Sequence, residues 1–569
     1  MKKIVFSFSL IFFLIFGTGV LAARLGEGVN FYIDENYDVS GRTDITAVLV
    51  KTAPKLYFYI DKKWWESQVY LKQEEILNSL KLLSQEFDNR IYPNLTSVFG
   101  SEWKPGIDGD ERITVLFHQM KEGVGGYFRT ADEYLRIQAP ESNEREMVYL
   151  PTAQIDNFQK LKVFLAHEFT HLIVFNQKER RLGIPEEVWL NEARAEYSPS
   201  LLGYDNNYEG SNLQGRVKIF LEEPSDPITE WQNKKEDYGA LDVFTQYLVD
   251  HYGVGILIDS LKSDKVGIPS INEALAKNGF KKDFSQIFTD WTIAVFINNC
   301  SLGENFCYLN KNLKDLKITP SINFLPFTNQ SSLSVTDVIK NWSGNWQKFI
   351  GGKGVLKFEF KGLAGLNFKV PYLVQDKDGN YRLNFLKLDS NETGQTYISD
   401  FGSKNVSLTI IPSLQTKITG FDGLDPTYSY SFTISTIENT KPKEETELIN
   451  ELLARIDALK AEIAKVQAQI KAILESRSLS CKVFRNNLYF GMRDNKEVRC
   501  LQEFLKKQGP EIYPEGLVTG NFLYLTKAAV IRFQEKYSSE ILAPWGLAKG
   551  TGFVGSTTRR KINQLLSQK

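Results

Sequence analysis

The stretch Phe164-Leu165-Ala166-His167-Glu168-Phe169-Thr170-His171-Leu172-Ile173 decides how this chain is read. Its apolar spacing predicts a helix over roughly Leu161 to Gln177. His167 and His171 are four positions apart, so they lie one turn apart on one helical face, and both imidazoles can reach a single zinc ion. Glu168, next to the first histidine, can reach a water on such an ion without binding the metal. That geometry suits a general base that later returns the proton. The chain has only four histidines (His118, His167, His171 and His251), which makes the pairing hard to attribute to chance.

A catalytic zinc needs a third protein ligand and an open fourth position. Trp189-Leu190-Asn191-Glu192-Ala193-Arg194-Ala195-Glu196-Tyr197 offers one in Glu192. It follows His171 by enough chain for a loop and a second, antiparallel helix. Glu196, one turn further on the same face, is placed to accept a hydrogen bond from the outer nitrogen of a ligand histidine and hold its tautomer.

These two motifs together resemble the gluzincins, the thermolysin- and aminopeptidase-like zinc peptidases, in which a downstream glutamate in an Asn-Glu motif is the third ligand. The surroundings are most similar to the secreted hyicolysin-like branch: Gly106-Ile107-Asp108-Gly109-Asp110 before a strand, then Gly125-Gly126-Tyr127-Phe128, then Asn143-Glu144-Arg145-Glu146-Met147 before the zinc helix. The resemblance covers about residues 24–320. It implies an endopeptidase in which Zn²⁺ polarises the scissile carbonyl and Glu168 activates water. Ala193 stands where many relatives have glycine after the ligand glutamate, a mild departure that leaves the ligands intact. Such enzymes also use a Tyr or His beyond the third ligand to bind the developing oxyanion. Tyr238 is the first candidate for that role and His251 the second. His118, at a strand end, is read as structural. Calcium has no motif to support it: the turn Gly106–Asp110 lacks the full EF-hand spacing and reads as an ordinary acidic turn.

The remainder of the 569 residues fits around this site. At 42% hydrophobic and 24% charged, the composition excludes wholesale disorder. With 68 basic against 69 acidic residues and no basic run, nothing attracts nucleic acid. Lys2-Lys3, the apolar run Ile4–Phe16 and the small residues up to Ala23 read as a secretory signal over 1–23. Export permits disulfides, and the local pairs Cys300/Cys307 and Cys481/Cys500 are the expected bridges. Arg24–Trp65 is open to two readings, a pro-region or, from its strand pattern, part of the fold.

A catalytic α+β zincin-type domain is therefore expected over 24–325, its later part helical. Short alternating runs with turns, such as Asp378-Gly379-Asn380, predict a β-sandwich over 330–437. Ile449, Leu452, Ile456, Leu459, Ile463, Val466, Ile470 and Ile473 alternate three and four apart. That seam predicts a coiled coil over 445–476, pairing chains as a homodimer or trimer through residues 449–473. Residues 480–569 hold two related passages, Val498–Gln534 and Gly552–Asn563, in which a glycine, a capping threonine and an apolar helix recur. This segment resembles the small three-helix peptidoglycan-binding domain of exported bacterial enzymes, which implies retention at the cell wall. The expected function is an exported zinc metalloendopeptidase acting on protein or peptide substrates, tethered to peptidoglycan. Two other readings stand beside it: a peptidoglycan peptide hydrolase, and a non-catalytic surface adhesion or spacer protein.

Overall fold

The computed structural model describes residues 24–327, 330–421, 423–437, 481 and 483–568, with scattered positions between 453 and 467. The expected signal segment and the seam residues Ile449, Leu452, Ile470 and Ile473 lie outside the described residues. The chain is a multidomain assembly of helices and sheets that divides into two compact units, one of residues up to 183 with 191–215, the other of 184–190 with 216 onward.

The first unit is built on a five-stranded sheet in sequence order: β1 (Gly28–Tyr32), β2 (Asp44–Thr52), β3 (Leu56–Asp61), β4 (Ile113–His118) and β5 (Met147–Pro151). The first three strands pair antiparallel, and β3, β4 and β5 run parallel. Every residue of β3, β4 and β5 is buried, as expected for parallel strands covered on both faces and written as near-continuous apolar runs. Because β1, β2 and β3 are sheet strands, Arg24–Asp61 is part of this body.

Crossover helices join β3 to β4, whereas β4 reaches β5 through a long loop with one 3₁₀ turn, Thr130–Glu133. After the short α1 (Lys62–Glu66) comes α2 (Tyr70–Glu86), which continues through a π-helical turn, Phe87–Ile91, into α3 (Tyr92–Phe99). The wider turn precedes Pro93, which has no N–H to continue the regular ladder. After β5 the chain enters α4 (Phe158–Val174), whose first turn is capped by Asn157 accepting from Lys160 N. Phe169 anchors α4 by stacking on Tyr92 at 5.5 Å and meeting Phe87 edge-on at 5.0 Å. A second π-helical turn, Phe175–Arg180, ends it, and α5 (Val188–Leu201) follows.

The second unit begins with helices. α6 (Asn212–Glu222) enters it at Arg216 and is followed by α7 (Lys235–Tyr252), α8 (Gly255–Lys262), α9 (Gly267–Lys277) and α10 (Phe284–Ile297). Gly239 of α7 lets it close on α6, since a Cβ there would lie 2.8 Å from Ile219 Cγ2 and 2.9 Å from Phe220 N. Phe244, Phe284, Phe288 and Trp291 interlock with ring centroids 5.4–6.2 Å apart. Cys300 and Cys307 close the following loop as a disulfide.

Eleven strands follow: β6 (Ser321–Leu325), β7 (Ser332–Ile339), β8 (Gln347–Gly351), β9 (Gly354–Lys361), β10 (Phe368–Lys369), β11 (Pro371–Asp376), β12 (Tyr381–Phe385), β13 (Thr393–Phe401), β14 (Asn405–Ile410), β15 (Ser413–Leu414) and β16 (Tyr428–Ile437). β12, β11, β14, β8 and β6 hydrogen-bond in one run, and β13, β9, β16 and β7 in another. The two runs are not separate sheets. One residue pair, Phe401 with Asn405, joins them at the corner between β13 and β14, where Gly402 has φ +77°. Both runs face one core that includes Phe349, Phe358, Tyr372, Leu408, Phe432 and Ile434. β11 and β12 meet at the expected turn, with Gly379 at φ +88°. Between residues 453 and 467 the described positions are helical, and Ile456, Leu459, Ile463 and Val466 are exposed.

Residues 483–568 pack helices Lys496–Lys507, Tyr524–Lys536 and Ser556–Ser567 around Leu501, Phe504, Phe533 and Ile562, with Cys481 bonded to Cys500. Each related passage is organised by a buried glutamine. Gln502 Oε1 accepts from Thr519 N and Gly520 N, while its Nε2 donates to Asn521 O and Thr526 Oγ1. Gln534 repeats this with Thr551 N, Gly552 N, Phe553 O and Thr558 Oγ1. Replacing Gln534 with leucine strands the buried Gly552 N–H and frees the part-buried Thr551 N–H, and should cost about 1–3 kcal/mol. The expected readout is earlier loss of protease resistance over residues 483–568 during urea unfolding of the full chain.

Candidate metal centre

The residues expected to meet do meet. On α4, His167 Nε2 and His171 Nε2 face each other at 3.2 Å, with ring centroids 4.9 Å apart. α5 presents Glu192 to both: Oε2 lies 3.2 Å from His167 Nε2, and Oε1 lies 3.6 Å from His171 Nε2. One ligand atom from each of the three falls within 4.8 Å of the others, and among the described residues no other trio of His, Cys, Asp or Glu is drawn so close.

The outer nitrogens are tied down. His167 Nδ1 sits 3.1 Å from Glu196 Oε1, whose side chain is almost wholly buried, and His171 Nδ1 sits 3.0 Å from Asn191 Oδ1. With acceptors on both Nδ1 atoms, each ring keeps its proton there and turns the Nε2 lone pair toward the other histidine and Glu192. Two lone pairs and a carboxylate converging in this way repel one another unless a cation or a proton sits between them. Glu192 Oε2 is buried without a properly aligned hydrogen bond, despite its 3.2 Å approach to His167. The donor set of two imidazoles and a carboxylate, with an orphaned oxygen at its centre, fits Zn²⁺.

The protein's own charges show the same demand. Burial pushes the His167 imidazole down, but the close Glu192 and Glu196 carboxylates and the charge of Glu168 outweigh it and hold its pKa well above the ordinary value. His171 is lowered, by burial first. Glu168 is pushed up to about 8 by burial, with Glu192 and Glu196 adding to the rise and His167 opposing it.

Glu168 is buried, and the zinc-site motifs give no hint of what covers it. Tyr127 bridges Tyr149 of β5 through two 3.0 Å main-chain hydrogen bonds, which lays the segment 125–128 along the sheet edge beside α4. A Cβ on Gly126 would lie 2.8 Å from Tyr149 O and 2.9 Å from Glu168 Oε1, and one on Gly125 would lie 2.9 Å from the Phe164 ring. Phe128 then stacks over the His171 ring at 6.3 Å. The Gly-Gly pair is the signal for this contact in the sequence, since two adjacent glycines mark a close main-chain approach. Asn191 is visible as part of the Asn-Glu motif, but its role on His171 is not.

The remaining candidates have partners of their own. His118 has no exposed surface and bridges Asp38 (3.2 Å) and Tyr127 OH (3.0 Å). Tyr238 belongs to the second unit, where its hydroxyl donates to Asn233 Oδ1 at 3.0 Å and its ring meets Trp231 edge-on and lies under the Arg216 guanidinium. His251, in the same unit, lies 2.9 Å from Cys307 O through Nε2.

No known protein family matches the chain, and no curated protein matches it. Solved structures give short, distant likenesses. The pre-peptidase C-terminal domain of a collagenase from Bacillus anthracis matches at 7% identity over 20% of this chain and 96% of that one, with a TM-score of 0.15. A mitogen from Yersinia pseudotuberculosis matches at 10% identity over 20% and 93%, with a TM-score of 0.14. A periplasmic inhibitor of g-type lysozyme from Aeromonas hydrophila matches at 9% identity over 21% and 98%, with a TM-score of 0.13. At these scores the likenesses carry no argument about function, which rests on the site.

Gly126→Ala is expected to force either Glu168 or the Tyr127–Tyr149 bridge to move. A displacement of that size should cost about 1–3 kcal/mol, read as an earlier urea unfolding midpoint of the variant's first unit.

Proposed function

We propose that the chain is an exported, zinc-dependent metalloendopeptidase of the gluzincin kind, most similar to the hyicolysin-like branch, held near the cell wall by its C-terminal domain. The observation that carries the reading is the convergence of His167, His171 and Glu192 with both outer nitrogens already engaged and Glu168 alongside. Its corollary for the fold is a zincin-type catalytic body, with α4 and α5 as the ligand-bearing pair.

His167, His171 and Glu192 would hold Zn²⁺, which would supply Lewis acidity for a peptide carbonyl and for water. The chain's residues do the rest. Glu168 takes the proton of the attacking water at a carboxylate oxygen and passes it to the departing amine. Glu196 and Asn191 keep the His167 and His171 rings in register. The segment 125–128 shields Glu168 from solvent. Tyr238 remains the proposed oxyanion donor, with His251 behind it.

Support for export comes from the two disulfides. Among the described residues no helix is long and apolar enough to cross a membrane. The three-helix C-terminal domain with its twin glutamine clamps supports wall retention, and it also favours the second reading, a peptidoglycan peptide hydrolase. The exposed seam Ile456, Leu459, Ile463 and Val466 supports pairing of chains through residues 449–473. Light scattering on the full mature chain should give a dimer or trimer, and Ile456→Asp with Ile463→Asp should return it to monomer. A parent that is already monomeric would remove this element.

The deciding experiment uses the full mature chain supplied with zinc. Bound zinc at about one per chain together with chelator-sensitive cleavage of unfolded casein supports the peptidase. Cleavage of purified sacculi instead of casein supports the wall hydrolase. A chain that binds no zinc is neither, and becomes a surface spacer.

A further inference from the structure

A second site lies in the first unit, away from the histidines. Glu133 ends a 3₁₀ turn, Thr130–Glu133, and is only 3% exposed, yet neither of its carboxylate oxygens has a hydrogen-bond partner. Glu146, also 3% exposed, accepts from Ile107 N at 2.8 Å through Oε1, while its Oε2 has no partner. The two carboxyl groups lie within hydrogen-bonding reach of each other, and ionised carboxylates have no proton to share. Among the described residues no lysine, arginine or histidine pairs with either.

The surroundings do not relieve the pair. Asp132 is fully occupied, accepting from Tyr149 OH at 2.5 Å and from Asn143 N and Nδ2, with Arg129 at 3.6 Å. Asp108, half-buried in the turn Gly106–Asp110, adds negative charge. Gly106, at φ +96°, brings its bare main chain onto Glu146: a Cβ there would fall 1.8 Å from Oε2. Three unpartnered carboxylate oxygens on two buried side chains, beside an exposed turn, would be strongly unfavourable if left as they are.

We propose that Glu133 and Glu146 bind a calcium ion against the turn 106–110, with Asp108 contributing charge through a bridging water. The donors are all oxygen, with no histidine or cysteine, which selects a hard cation over zinc. Calcium tolerates irregular, largely dehydrated oxygen sites, whereas magnesium keeps its waters in an octahedron. An exported protein meets calcium at levels that fill sites with Kd of about 10⁻⁴–10⁻³ M. The ion would pin the 3₁₀ turn and the 106–110 turn to the start of β5, two residues before the Tyr149 that holds the segment over Glu168.

The test is thermal unfolding of the full mature chain, zinc-loaded, with calcium, magnesium or neither. Calcium, and not magnesium, should raise the first unit's melting temperature by on the order of 5 °C. Glu133→Gln and Glu146→Gln should each abolish that rise, and both should still fold because an amide can donate to the remaining carboxylate. Terbium luminescence, titrated in parent and variants, gives a reading independent of stability and should appear only in the parent. Calcium leaving the parent's melting temperature and terbium signal unchanged would overturn the site, as would an undiminished response in both variants. So would a buried pair sharing a proton instead: with raised folded pKa values, about 7 at Glu146 against an ordinary 4.5, stability would fall as pH rises through that window, whether or not calcium is present. Zinc content and casein cleavage, measured on the same samples, report on the His167 site separately.

Discussion

Glutamine in place of Glu168 is expected to reduce peptide-bond hydrolysis by about 10²–10⁴-fold while leaving about one zinc bound per chain. The side chain is not among the three that converge, so the substitution keeps its size and the ligand geometry. What it removes is the ability to accept the proton of the attacking water. The amide also loses the group whose burial, and the charges of Glu192 and Glu196, press for protonation, so Glu168→Gln should be at least as stable as the parent when no metal is bound. Cleavage of unfolded casein and zinc by elemental analysis, on parent and variant prepared together, check both halves. Equal cleavage by the two proteins would remove Glu168 from the chemistry and with it the peptidase reading.

The ligand shell should respond in a graded way. On the proposed reading Glu192→Ala deletes one of three ligands, so zinc should fall from about one per chain to near zero under dialysis conditions that leave the parent loaded. Glu196→Gln leaves all three ligands and weakens only the partner of His167 Nδ1, which should cost about 10–100-fold in zinc affinity. Titration against a competing chelator separates the two. The order matters more than either value: if Glu196→Gln lost metal while Glu192→Ala kept it, the roles of the two carboxylates would be reversed. The distances favour the assignment given, because Glu192 approaches both Nε2 atoms and Glu196 approaches one Nδ1.

Whatever a short periodic spacing carries is legible in the amino-acid sequence alone. His167 and His171 share a face because a helix repeats every 3.6 residues, and Glu192 and Glu196 share one for the same reason. Strands β3 and β4 stand out as apolar runs. Features made by chain segments approaching from a distance leave no such trace. Asn191 holding His171 depends on how two helices meet, and Glu133 meeting Glu146 on how loops close, and neither carries a period. Gln502 and Gln534 are silent in the sequence because a glutamine on an amphipathic helix reads as solvent-facing, yet each is buried with four partners. Alternation signals the strands over 330–437, but not their junction at Phe401 and Asn405, since a single residue pair at a corner has no signature.

The twin clamps at the C-terminal end have an evolutionary and a physical consequence. Gln502 closes on Thr526 and Gln534 closes on Thr558, so the helix Tyr524–Lys536 ends one clamp with its first turn and begins the next with its last. Two copies of one ancestral unit would overlap here by a whole helix instead of abutting. Neither half can then persist alone, because cutting between them removes a wall from both. The domain should unfold in one step, and the free-energy losses from disabling both clamps together should fall short of their sum.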